Sequence, residues 1–384
     1  MGKYLLPAII LLLCASLPLT SCADASDDPS DSVKSLAEAF GFSIPQWEIE
    51  ALGDELWESL KPASGAKIDD VETVKRYFAT VGQGDSVAGD LENEVERILS
   101  KQIRSVLIEE RIVNPLDTWL PLNVVFPPVN FRFQTPPNLL VVSPRNEIRI
   151  LERITLDPHL TPDEKEALEE QVDSLGYSSL VVRLGGVGFT YPTMVYRTSS
   201  IKRAIDIAVE EWFHQYMAFR PLGFLYVLDS IGWWSDYDII TINETTAGIV
   251  SRELAEKVYH KYYREEEDAV EPAPPDGDGF DFYQEMNLIR ARVDEYLEQG
   301  RVAEVEEYME DRRQFLASKG YHIRKLNQAY FAFHGTYADD PGTVSPIGQD
   351  LQLLRKQCSS LRDFLEKVSV MRGYDDLKKA LEGS

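Results

Sequence analysis

The sequence predicts an α+β fold in which a small twisted sheet packs on a central helix between mostly helical N-terminal and C-terminal regions. Three observations carry that prediction. Apolar residues recur at helical spacing on both flanks of the chain, most clearly Val95, Ile98, Leu99, Ile103, Val106 and Leu107. A proline-rich change of texture follows, through Pro115, Pro121, Pro127, Pro128, Pro136 and Pro137, and it carries short β-branched and aromatic runs. Beyond these runs lies a long apolar helix interrupted by Glu210, Glu211 and His214. Adjacent carboxylates in a helix of that kind are costly unless they are paired or bound to a metal.

Residues 33–113 read as an α-helical N-terminal region, with helices over 35–40, 71–81 and 91–111. Residues 114–263 carry the sheet and the central helices. In this part, 130–133 and 139–142 have strand composition and are expected to pair. Thr161-Pro162-Asp163-Glu164 announces a helix over 158–174, with threonine as N-cap and proline at the first helical position. Strands resume at 179–184 and 193–197, on either side of Gly185-Gly186-Val187-Gly188. These glycines suit a turn and a close backbone approach; no helix follows them directly, which argues against a phosphate loop.

The central helix spans 200–219, capped by Ser199 or Ser200 and ended near Pro221-Leu222-Gly223. A second helix begins near Ile242-Asn243-Glu244 and reaches Tyr263, with Ala247 and Gly248 small enough for another helix to approach. Residues 264–280 form an acidic Pro/Gly loop. The C-terminal region, 281–384, reads as helices over 282–299, 302–318, 323–333 and 349–370. Trp233 and Trp234 are expected to pack between the core helices, the alternative being a stacking surface in a cleft.

A formal charge of −25 excludes nucleic acid as a partner and gives no electrostatic grip on anionic lipid. Met1-Gly2-Lys3 precedes an apolar run over 4–19 that is too short to span a bilayer comfortably and has the shape of a secretory signal. Its end, Leu19-Thr20-Ser21-Cys22, resembles the bacterial lipobox. The resemblance implies removal of 1–21, lipid including palmitate on Cys22, a flexible tether over 22–32, and a protein anchored on the extracytoplasmic face of a cell membrane. An ordinary signal peptide with a chance cysteine is the alternative. Of three cysteines, only Cys358 then remains in the folded part, so no internal disulfide can form.

On a helix, residues four apart share a face, so Glu210 and His214 can point at one metal with Glu211 beside them as a base. Glu244 supplies a third ligand from a second, antiparallel helix. The strings Glu210-Glu211-Trp212-Phe213-His214 and Asn243-Glu244-Thr245-Thr246-Ala247 resemble the gluzincin metallopeptidases, thermolysin-like in the broad sense, which join His-Glu-x-x-His to Asn-Glu-x-x-x-Asp.

That resemblance implies a zincin-like fold, a zinc ion held by Glu210, His214 and Glu244, Glu211 as general base, and a peptide or cell-envelope substrate pairing with an edge strand, for which 193–197 is the candidate. It covers about 180–263. Glu210 stands where the family has histidine, and Gly248 where its supporting aspartate often stands. Tyr337, or His334, is the candidate for polarising a substrate carbonyl. Three alternatives remain. One is a catalytically silent pseudo-peptidase that keeps the cleft to bind peptide or envelope material. Another is simple ion pairing of the trio with Arg203, Arg220 or Arg252. The third is a di-iron bundle, which lacks the second Glu-x-x-His it requires.

Overall fold

A computed structural model of the 384-residue chain describes residues 29–44, 70–81, 87–115, 125–230, 233, 236–264, 280–337 and 345–383. The signal and lipobox with Cys22, Trp234 and most of the acidic loop lie outside the described residues. No helix among the described residues is long and apolar enough to cross a membrane.

The architecture is mixed α+β, predominantly helical, with two three-stranded sheets among the described residues. Helix α1 covers Pro29–Glu38, starting inside the stretch expected to be a tether; α2 covers Asp70–Val81 and α3 Val87–Glu109. Strands β1 (Phe131–Phe133), β2 (Asn138–Pro144) and β3 (Glu152–Leu156) lead into α4 (Pro162–Ser174). Strands β4 (Tyr177–Arg183), β5 (Gly186–Val187) and β6 (Thr193–Val195) complete the sheets.

The helical remainder is α5 (Ile201–Met217), α6 (Pro221–Ser230), α7 (Tyr237–Tyr262), α8 (Phe282–Glu298), α9 (Val302–Ser318), α10 (Gln328–His334), α11 (Ile347–Gln357), α12 (Leu361–Val368) and α13 (Tyr374–Glu382). Helix α4 begins with the capping box expected of its sequence: Glu164 N–H donates to the Thr161 hydroxyl while the Glu164 side chain accepts from Thr161 N–H.

The first sheet is antiparallel, in the order β3-β2-β4, with Leu140 opposite both Ile154 and Val181. Alternation along β2 and β4 sends Leu140, Val142 and Val181 towards α1 and α4, and Val141 and Leu180 towards α8, α9 and α10. Both faces are covered, which is why β2 reads as a continuous apolar run. The second sheet has the order β1-β6-β5, with β1 parallel and β5 antiparallel to β6. It joins α2, α3, α5, α7 and α11 to α13 in the largest apolar cluster.

Several expectations need correcting. The runs 130–133 and 139–142 do not pair; they are β1 and β2 of different sheets. Residues 193–197 do not form an edge strand, because β6 is flanked on both sides, and the edge over the central helix is β5. Pro221 starts helix α6 instead of only ending α5, and α7 begins at Tyr237, so Asn243 and Glu244 sit in its second turn. The final stretch is broken into α11 and α12 around Cys358, and Trp233 is 74% exposed, which removes it from the core.

Two buried carboxylates tie helices to sheet edges. Glu169 on α4 accepts from the backbone N–H of Val181 at 2.5 Å and from Arg324 at 2.5 and 2.8 Å, joining α4, β4 and the approach to α10. Glu96 on α3 accepts from Phe133 N–H at 2.6 Å, while Glu92 accepts from Arg197 at 2.7 and 2.8 Å. Removing one partner of a buried pair leaves the other groups without compensation. Glu169→Ala is therefore expected to lower unfolding free energy by about 3 kcal/mol in urea denaturation. Glu169→Gln should cost less, because an acceptor for Val181 N–H remains.

Candidate metal centre

The site is built on α5 and α7. Ser200 caps α5 by accepting from Arg203 N–H, and Asp236 caps α7 by accepting from Asp238 and Ile239 N–H. Helix α5 is apolar on most of its circumference, and Trp212 fixes its rotation by donating its indole N–H to Pro127 O at 2.8 Å. That rotation turns Glu210 and His214 towards α7.

Ligand atoms of Glu210, His214 and Glu244 all lie within 4.8 Å of one another, and His214 Nε2 is 3.8 Å from Glu244 Oε2. A tetrahedral zinc with nitrogen and oxygen ligands needs donor separations of roughly 3.4 Å, so small side-chain adjustments suffice. The donor set fits a divalent ion. The other ring nitrogen, Nδ1, faces the Asn243 amide at 3.1 Å, and among the described residues Asn243 Oδ1 has no hydrogen-bond partner. Either end of that amide can meet the ring. With Oδ1 accepting from Nδ1–H, Nε2 keeps its lone pair for a metal.

Around this centre the electrostatics are dominated by burial and by like charge. Burial, then Glu244 and Asp206, push Glu210 from the ordinary 4.5 up to about 7, while Arg203 and Arg252 oppose the shift. Glu211 is raised well above the usual carboxylate range by burial and by Glu210 and Glu244. Burial lowers His214, against the pull of Glu244, so the ring is held neutral as a ligand must be. Three carboxyls converge here on one neutral imidazole.

Strand β5 covers Glu211. A Cβ at Gly186 would collide with the Glu211 carboxyl, and one at Gly188 would stand 2.8 Å from the Glu211 backbone oxygen and 3.1 Å from His214 Cβ. The glycines therefore serve a close approach, as the sequence indicated, and its object is the candidate base. Gln215 anchors the same loop by donating to Thr190 O at 2.6 Å.

Two tyrosines border the centre. Tyr226, on α6, donates its hydroxyl to Glu244 Oε1 and stacks on His214, with ring centroids 5.4 Å apart and planes 15° from parallel. Phe189 closes a three-ring cluster with them, its centroid 5.8 Å from Tyr226 and 6.4 Å from His214. Tyr226 is not legible as a site residue in the sequence, because Pro221 is equally compatible with a helix end; its helical register in α6 is the one signal available.

Tyr337 lies among the same charges. Its phenol is pushed well above the ordinary range by burial and by Glu244, Glu210, Tyr226 and Glu211. Gly335 permits this placement, since a side chain there would meet the Tyr237 hydroxyl and Phe331 O. His334 instead packs tilted against Tyr330, with ring centroids 4.1 Å apart, and edge-on to Phe333. Of the arginines expected as ion-pair partners, Arg203 pairs with Asp206 at 2.6 Å, and Arg220 lines a separate cleft with Phe219, Phe224 and Arg372.

No family model, curated protein or solved structure matches this chain.

The sign of the Glu210 shift sets a pH dependence. A carboxyl whose folded pKa lies above its unfolded value favours the folded state at low pH, and that contribution is lost as pH rises from about 4.5 to about 7. His214, shifted down, acts oppositely below about 6.5. In metal-free protein, Glu210→Gln should raise stability by roughly 1–2 kcal/mol near pH 8 and have little effect near pH 4, as read by thermal unfolding at the two pH values.

Proposed function

We propose that this chain is an extracytoplasmic, lipid-anchored, zincin-like metal-dependent peptidase whose ligands are Glu210, His214 and Glu244. The observation that carries the proposal is the convergence of these three donor sets from two packed helices, with Glu211 one residue from a ligand and raised in pKa by its surroundings. A bound zinc-type ion would supply Lewis acidity, lowering the pKa of a water and polarising a carbonyl oxygen.

The chain's own residues supply the rest. Glu211, held under β5 in a desolvated position, accepts the proton of the attacking water and later passes it to the leaving amine. Tyr337 would offer a hydroxyl donor to negative charge developing beside the carboxyls, while the Tyr226 hydroxyl is given to Glu244 Oε1. The outer edge of β5 runs over Glu211, so an extended peptide pairing with backbone groups there would bring its carbonyl to the site. Lipid on Cys22 would hold this cleft near the cell surface, within reach of envelope or peptide substrates.

A second reading, a silent site that only binds such peptides, is favoured by one contact: Tyr226 already satisfies Glu244 Oε1. Elemental analysis and a peptide-mixture digest followed by mass spectrometry separate the two. The peptidase proposal expects one metal per chain, cleavage lost on chelation, and a fall of roughly 10²–10⁴-fold in Glu211→Gln with metal retained. Absence of metal together with no effect of Glu211→Gln would sink it.

A further inference from the structure

Tyr226 touches two of the three candidate ligands from a helix that carries none of them. Its hydroxyl donates to Glu244 Oε1 on α7, and its ring stacks on that of His214 on α5, with centroids 5.4 Å apart and planes 15° from parallel. The hydrogen bond engages Oε1 alone. Oε2, the other oxygen of the same carboxyl, faces His214 Nε2 at 3.8 Å. Glu244 thus has one oxygen held by a tyrosine and one turned towards the neighbouring ligand.

The tyrosine is itself held in place. At the start of α6, Leu222 N–H donates to Ser369 O at 3.1 Å, and a Cβ at Gly223 would collide with the Met217 backbone, so the helix turns tightly off the end of α5. One turn beyond Tyr226, Asp229 pairs with Arg153 of β3 at 3.2 Å and accepts a backbone hydrogen bond from Asp236, the N-cap of α7. Helix α6 is therefore tied to α5, β3 and the start of α7 while it presents its phenol to Glu244.

We propose that Tyr226 is a positioning residue that sets Glu244 to offer Oε2 to a divalent ion shared with Glu210 and His214. This rests on the metal-dependent reading of the site. A carboxyl has two oxygens able to meet a cation, and in a buried site the one that does not do so requires a donor. A phenol supplies that donor without bringing a positive charge next to the ion, as lysine or arginine would. The stacked ring adds a second constraint, because turning the His214 imidazole would break its face contact with Tyr226. Together with Asn243 at Nδ1, this leaves Nε2 directed at Glu244 Oε2. One side chain thereby steadies a ligand on each of two helices.

The test is calorimetric titration of the full chain in detergent with zinc alone, alongside visible spectra of the protein loaded with cobalt and thermal unfolding without metal. Tyr226→Phe, which removes the hydroxyl and keeps the ring, should weaken zinc binding about tenfold or more and change the cobalt spectrum, because Oε1 is released. Asp229→Asn, which loosens the end of α6 without touching a ligand, should shift both readouts the same way and provides a second route should Tyr226→Phe fold poorly. Metal-free unfolding of both variants should remain cooperative.

Unchanged zinc binding by Tyr226→Phe, or the tighter binding that a tyrosine blocking the centre would give, overturns the inference while the metal-dependent function stands. Weaker binding with an unchanged cobalt spectrum, the mark of a general loosening, does the same. A wild-type chain that binds neither ion overturns both.

Discussion

The antiparallel packing of α5 on α7 is the constraint on which the rest depends. It places His214 against Glu244 and Asp206 against Ser251, and it buries a stripe in which carboxyls outnumber cations. Like charges gathered in a poorly solvated helix interface oppose that packing, which is visible in the upward shifts at Glu210 and Glu211. Apolar contact elsewhere along the pair has to hold it: Ala204, Ile205, Ala208 and Val209 on α5 meet Ala247, Val250 and Leu254 on α7 within the largest core cluster. A local conflict maintained by the surrounding fold is the pattern expected of a functional site.

The other elements serve as walls around that pair. Strand β5 comes down on Glu211 because Gly186 and Gly188 leave no side chain between the strand and the helix. Helix α6 begins immediately after α5, where Gly223 packs against the Met217 backbone, and the tight connection brings Tyr226 over His214. From the far end of the chain, α10 is held to the first sheet by Asn327, which donates to Ser179 O at 2.9 Å, and by Gln328, which donates to Arg145 O at 2.6 Å. Its C-terminal exit carries Tyr337 to the same centre. Residues of β5, α5, α6, α7 and the exit of α10 thus meet at one place.

Much of the fold was legible because the elements concerned carry strong local signals. The capping box at Thr161, the helical face of α3 and the boundaries of α9 follow from periodicity and caps alone. Elements were missed where the local signal was weak or ambiguous. Strand β3, Glu152–Leu156, is a partly exposed edge with two charged residues, so its apolar alternation is faint. Pro221 is compatible with either the end of one helix or the first turn of the next, and only packing against Met217 selects the second. The separation of β1 from β2 into two sheets, and the central place of β6, depend on pairings distant in sequence that composition does not encode.

The sequence alone determined that Glu210, Glu211 and His214 share one helix with the ligand spacing of a metal site, because a periodicity of 3.6 residues per turn fixes which side chains lie on a face. It also placed Asn243 and Glu244 on a following helix and put glycines where a backbone had to approach closely. Tertiary structure decided whether those pieces converge. Register between α5 and α7 set Glu244 against His214, the strand order put β5 over Glu211, and α6 and α10 added Tyr226 and Tyr337. Such contacts arise from interlocking side chains of segments far apart in the chain, and their geometry exists only once the whole core has packed.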